Sequence, residues 1–149
     1  MRGRKHEALL GSPTDRMPIV RFSEAITTCL RRYATFEGRA SRSEYWYFAL
    51  FMVLANLGSA VLDAAIFPDN AVSPLNTLVS LGLLLPSLAA AARRLHDIGR
   101  SGWWLMVGVI PVVGWIITLI WLCQRGSIGA NRFGADPLAG GLIAGASPA

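Results

Sequence analysis

Charge is scarce in this 149-residue chain: charged residues make up 15% of it against 53% hydrophobic residues, where soluble proteins carry about 25% charge. A globule of this size cannot hide so much apolar surface, so lipid is the natural solvent for the outer faces of its apolar blocks. Cysteine is nearly absent. The two present, Cys29 and Cys123, lie far apart without metal-ligand spacing, which argues against a disulfide framework and a zinc site. The opening MRGRKHEALLGSPTDRMPIV lacks the apolar stretch of about seven to fifteen residues that a cleaved secretory signal requires. HExxH, GxSxG and paired-carboxylate arrangements are missing too, as are internal repeats and strand alternation. No metal and no cofactor is indicated.

The charges that remain are unevenly placed. The chain carries 14 Lys or Arg against 9 Asp or Glu, and the basic residues avoid the apolar blocks and crowd their flanks. That points to the lipid bilayer and its anionic phospholipid headgroups, and away from nucleic acid. Residues 1–22 mix Gly, Ser, Pro, Arg and Lys without an apolar period and read as a flexible arm. In RFSEAITTCLRRYATFEG, Ile26, Cys29, Leu30 and Tyr33 recur at helical spacing. They predict a short amphipathic N-terminal helix, N-capped by Ser23 and lying on lipid or packed on protein.

Ser41 followed by Glu44 has the form of a capping box. It opens a helix that continues through residues 45–67, about 34 Å of helix against a hydrocarbon core of about 30 Å. FPDNAVSP reads as a tight polar turn. A second span covers 75–92, kinked at Pro86, and a third apolar block covers 103–123, edged by tryptophans. The predicted fold is therefore all-α: an integral membrane protein with about three transmembrane segments, in a helical domain at 23–137 followed by a loose tail at 138–149.

Nine Lys or Arg precede the first span, none lies in the turn, three lie in RRLHDIGRSGWW and two follow the third block. Cytoplasmic ends carry the basic excess, which puts the N-terminus and that loop inside. The third block admits two paths. A single crossing kinked at Pro111 leaves Arg125 and Arg132 outside, against the charge rule. A re-entrant hairpin at Pro111 to Gly114 brings all the basic residues to one side, but exposes backbone that must be buried in protein. Charge favours the hairpin and geometry the crossing; the crossing is the expectation.

This placement gathers Arg39, Arg42 and Glu44 at the base of the first span with Arg93, Arg94, His96, Asp97 and Arg100 at the base of the second. The expected arrangement is a cytoplasmic ion-pair cluster, Glu44 with Arg93 or Arg94 and Asp97 with Arg42 or Arg39. The alternative is that these charges are solvated or snorkel to phosphates. His96 and Asp97 beside arginines also suggest headgroup chemistry, but a lone His-Asp dipeptide sets no nucleophile beside a base. Asp63, the only charged side chain inside a span, lies near the far surface and is expected to snorkel. Asn56, Ser59, Thr77, Ser80 and Ser87 form either a polar seam or, with Gly58, Gly82, Gly108, Pro111, Gly114 and Thr118, small faces for close helix packing; packing is the expectation. GSIGANRFGADP, with Asn131, Arg132, Phe133, Gly134 and Asp136, reads as a structured turn motif plugging the membrane surface.

Three segments taken together, FEGRASRSEYWYFALF, RRLHDIGRSGWWLM with its IPVVGW continuation, and GSIGANRFGADP, resemble the domain of unknown function 805 family of small bacterial inner-membrane proteins. The likeness spans roughly residues 30 to 137. It implies a multi-pass protein of the inner membrane, and no reaction, substrate or cofactor. The function expected is a non-enzymatic scaffold or interaction component that presents an arginine-rich surface to a membrane-protein partner, a second copy or anionic lipid. A subunit of a small oligomeric transporter or channel is the alternative, and a lipid-modifying enzyme comes third.

Overall fold

Most helix starts in this chain are set by side chains that answer the first free N–H groups. The computed structural model describes residues 21–68 and 72–139, so nearly all of the arm at 1–22 and most of the tail at 138–149 lie outside the described residues. The first helix, α1, runs Phe22–Arg31, with Arg21 as N-cap and the Glu24 carboxylate accepting from the Arg21 N–H at 3.1 Å. Ser23 is therefore inside the helix and not its cap, because Glu24 completes the turn one step earlier. Ala25 and Cys29, one turn apart and fully buried, form the face that packs on the next helix, while Leu30 and Tyr33 of the predicted stripe are exposed.

The second helix, α2, spans Arg42–Ile66, and the third, α3, spans Pro74–Asp97. At 25 and 24 residues each reaches about 36 Å, longer than the hydrocarbon core of about 30 Å. They pack along one another. Their surfaces reverse the pattern of a soluble protein. Val53, Leu57 and Leu78 are 63%, 60% and 70% exposed, whereas Arg93 and Arg94 are 0% exposed. Such an exterior is stable among acyl chains and not in water.

Pro86 sits inside α3 without ending it. Lacking an N–H, it frees the carbonyl four residues back, Gly82, and the Tyr33 hydroxyl donates to that oxygen at 2.6 Å. The loop after α1 thus supplies the bond that proline removes. At the other end Asp63 is buried and accepts from the backbone N–H groups of Leu75 and Asn76 at 3.0 and 2.7 Å. It caps α3 from the neighbouring helix instead of snorkelling, because the free N–H groups and the positive helix end attract a carboxylate. Next to it, Asn76 donates to the Asn56 carbonyl and to Ser59, and Ser80 donates to the Asn56 side chain at 2.6 Å. Hydrogen bonds therefore join α2 to α3 in this half. Gly58 and Gly82, expected on packing faces, have no neighbouring atoms where a side chain would go.

The third apolar block folds back on itself. A 3-10 helix occupies Gly102–Val109 and a fourth α-helix, α4, occupies Val113–Cys123. Between them Val112 takes φ 62 and ψ −68, and the Val113 N–H donates to the Pro111 carbonyl at 2.8 Å, a γ-turn with positive φ that a β-branched residue adopts only under strain. Trp104 and Trp121 meet edge to face, ring centroids 5.5 Å apart; in a straight helix 17 residues would separate them by about 25 Å. The expected single crossing gives way to the hairpin. Its turn bonds most of its own backbone, with Ile110 N–H bonded to Val107, Val113 N–H to Pro111 and Gly114 N–H to Ile110, which meets most of the geometric objection. At the bend Gly114 lies directly against the Val107 carbonyl, leaving no room for a side chain.

Gly114→Ala is expected to destabilise the hairpin by about 1–3 kcal/mol, as overpacking does, and to lower the melting temperature of the detergent-solubilised protein. Gly58→Ala, where space is open, should leave it unchanged or raise it.

Candidate functional site

The arginine end of the molecule is organised by the last turn of α3. Four consecutive alanines, Ala89 to Ala92, are buried there, and their small side chains let neighbouring segments approach closely. Arg93 and Arg94 project from this close-packed region and must find acceptors without water. Arg93 bonds the Glu44 carboxylate at 2.9 Å. The same carboxylate takes the Cys29 thiol at 3.8 Å, and Arg93 also reaches that sulfur at 3.7 Å. Ser41 caps α2 by accepting from the Glu44 N–H at 3.2 Å. Glu44 spends its side chain on Arg93 and Cys29, so only one half of the expected capping box forms.

Asp97 holds two arginines at once. Arg39, from the loop before α2, lies 2.9 Å from one oxygen and Arg94 lies 2.5 Å from the other. Their remaining N–H groups go to backbone carbonyls. Arg94 donates to Leu122 at 3.1 Å and to Gln124, both at the returning end of the hairpin. Arg39 donates to Ser127, Gly129 and Gly134 in the turns beyond it. Three guanidinium groups face two carboxylates, and carbonyl dipoles carry the excess positive charge. Gly126 passes so close to the Asp97 carboxylate that no side chain fits there.

The turns at 126–136 also close the end of α3. The Ser127 N–H and hydroxyl both donate to the Asp97 carbonyl at 2.9 Å, and the Asn131 side chain donates to the His96 carbonyl at 2.9 Å. These are carbonyls that a helix end leaves open. Phe133 stacks parallel on the His96 ring at 4.0 Å. Arg132 lies over Phe133 and bonds the Gly99 carbonyl at 3.0 Å. Gly134 pairs its backbone with Asn131. Asp136 accepts from Leu138 and Gly129 N–H groups, and these bonds, Leu138 first, hold its carboxyl below the usual range. Asn131, Arg132 and Phe133 thus dock onto the end of α3 and the loop after it, while Gly134 accepts from Arg39 and Asp136 braces the turns themselves.

Two of the expected cluster residues stand apart. Arg42 is exposed and makes no ion pair among the described residues, because Arg39 and Arg94 already fill Asp97. Arg100 lies over the Trp121 ring at 4.4 Å and near Trp104 at 5.9 Å, a cation–π contact at the mouth of the hairpin. His96 is held between two backbone groups. Gly102 N–H approaches its Nε2 at 3.2 Å, so the proton sits on Nδ1, which faces the Gly38 carbonyl at 3.1 Å. Both ring nitrogens are occupied, and the imidazole serves as a neutral structural link. Sequence reasoning missed Cys29 as a member of the cluster and Ser127 and the hairpin carbonyls as its acceptors. Their demand was readable in three arginines facing two acids; their location was not.

Residues 33–135 match the family described as protein of unknown function (DUF805). The chain is 40% identical over 110 residues to inner membrane protein YhaH of Escherichia coli K12, covering 72% of this chain and 91% of that one. It is also 40% identical over 108 residues to inner membrane protein YhaI of the same organism, covering 72% and 90%. No solved structure matches. The matched stretch contains every arginine and carboxylate of the buried cluster.

Glu44→Gln strands Arg93 and is expected to cost about 3–5 kcal/mol, the usual effect of breaking a buried pair, seen as a lower melting temperature in detergent. Glu44→Gln with Arg93→Met should recover most of that loss. Burial first, then the Glu44 charge, pushes the Cys29 thiol from 9.0 up to about 11, with Arg93 acting in the opposite direction. The unfolded thiol ionises first, so stability should fall as pH rises from about 9 to about 11. Comparing alkaline melting of the parent with Cys29→Ser, which lacks that thiol, isolates this component.

Proposed function

The chain belongs to the DUF805 family, and from that premise we propose that it is a non-enzymatic inner-membrane component whose arginine end faces the cytoplasm as a rigid interaction surface. One observation carries the reading: the acids and the histidine of the site are already bonded within the chain. Glu44 and Asp97 are both paired with arginine and both ring nitrogens of His96 are bonded. General acid–base work needs a group free to exchange its proton with a substrate. What this end offers outward is shape and charge.

The hairpin supports that orientation. With the third block folded back, Arg39, Arg42, Arg93, Arg94, Arg100, Arg125 and Arg132 share one end of the molecule, and the described part of the turn between α2 and α3 holds no Lys or Arg. The basic end of a membrane protein lies in the cytoplasm. The alternative, a transporter or channel subunit, draws on the Asn56, Ser59, Asn76 and Ser80 network. Those groups bond each other and neighbouring carbonyls, as a helix clasp does, and they lie toward the end opposite the arginines.

Membrane-impermeant thiol labelling tests the orientation. Cys123 is exposed and Cys29 buried, so neither should react in intact spheroplasts, and Cys123 alone should react after permeabilisation. A cysteine placed at Val72 in the opposite turn should react from outside. Labelling of Cys123 in intact spheroplasts would refute the cytoplasmic assignment.

A further inference from the structure

Between the start of α2 and the turns that follow α4 lies an open cleft of about 480 Å³. Arg42 and Arg125 line it, both exposed and neither in an ion pair among the described residues. Asp97 and Asp136 also line the cleft, but their charges are answered. Arg39 and Arg94 neutralise Asp97, and Gly129 and Leu138 N–H groups occupy Asp136. The balance around the cleft is therefore positive, with four arginines against two carboxylates.

Its lip is apolar. Ile128 is 98% exposed and Leu138 52% exposed, and both line the same cleft. An isoleucine fully open to water is unfavourable, and one placed next to two unpaired guanidinium groups suits an amphiphile. Depth agrees. Tyr45 and Trp46 follow Arg42 by one helical turn, and aromatic residues of this kind settle at the headgroup level. A soluble anion would need the arginines alone; a phospholipid needs both the cations and the apolar lip.

We propose that this cleft binds the phosphate of an anionic glycerophospholipid, with Arg42 and Arg125 on the phosphate oxygens, Ser43 supplying a hydroxyl, and Ile128 and Leu138 set against the glycerol and upper acyl chain. This deepens the interaction-surface reading and rests on it only in taking this end as the membrane–water interface. Arginine suits the role because its fork meets phosphate oxygens in pairs. The buried arginines behind the cleft add a field that water screens little.

Native mass spectrometry of the full chain released from detergent, titrated with phosphatidylglycerol or phosphatidylcholine, tests the site. Phosphatidylglycerol should bind about tenfold or more tighter than phosphatidylcholine, and Arg42→Gln with Arg125→Gln should remove that preference, as loss of charge-assisted bonds does. Arg42→Lys with Arg125→Lys, which keeps the charge, should lie between the two. Both variants sit on exposed positions, and an unchanged melting temperature certifies their fold. Equal binding of the two lipids, or a preference that survives the double glutamine variant, overturns the proposal. Soluble glycerol phosphate competing as well as the lipid overturns the lipid assignment in favour of a free phosphate. Cytoplasmic orientation is read separately by thiol labelling, so either reading can fail alone.

Discussion

Arg93 and Arg94 have no access to solvent, and the rest of the arginine end is arranged around that fact. A guanidinium has five N–H donors and keeps its charge at any pH the protein meets. Buried without partners, it would be too costly to fold. Two carboxylates meet part of the demand. Arg93 adds the Cys29 sulfur and leaves its Nε without a partner among the described residues, while Arg94 and Arg39 turn to backbone carbonyls, which apart from the one Pro86 frees in α3 are open at helix ends and turns. Arg94 therefore selects the end of α4, and Arg39 selects the turns after it. The path of the hairpin and the docking of the C-terminal turns both follow from where donors remain unanswered.

Much of the fold was legible because lipid imposes simple rules. The two long helices, their polar turn and the start of α2 at Ser41 can be read from apolar length and capping residues. So can the meeting of Glu44 and Asp97 with arginines, since acids and arginines at two helix bases on one side must neutralise each other or remain in water. Which arginine meets which acid is set by rotamer reach and is not visible in spacing. Arg39 and not Arg42 reaches Asp97 because Arg42 has already entered α2 and points outward. The amphipathic stripe misled in a similar way. The face of α1 that packs is its small face, Ala25 and Cys29, because Phe48 fills the space opposite.

The third block shows how two sound rules can compete. The charge rule concerns the whole chain, and the rule against irregular backbone at membrane depth concerns each peptide group. The hairpin comes close to meeting both, because the 3-10 arm bonds internally and the turn at Pro111 to Gly114 uses a proline, which has no N–H to satisfy, and a glycine, which lets the arms touch, leaving the Val112 N–H as the open donor of the turn. The strain at Val112 is of order 1–3 kcal/mol. Sequence reading alone could not weigh that strain against the carbonyls Arg94 gains at Leu122 and Gln124, since those contacts exist only after the arms have folded back.

A buried ion cluster is weak evidence for stability as such, because apolar residues of the same volume often hold a core equally well. Its effect here is better understood as selection among arrangements. Helices in lipid gain little from hiding apolar surface, so an all-apolar junction between α2, α3 and the hairpin would permit many registers of similar energy. One guanidinium answered by carbonyls at two specific positions permits few. The opposite end uses the same device with fewer charges: Asp63 fixes the start of α3, and Asn76 and Ser80 fix its rotation against Asn56. Between these two polar clasps the helices need only be greasy. That division explains how a chain with so little charge can still hold one arrangement, and why Arg39, Glu44, Asp63, Arg93, Arg94 and Asp97 are buried.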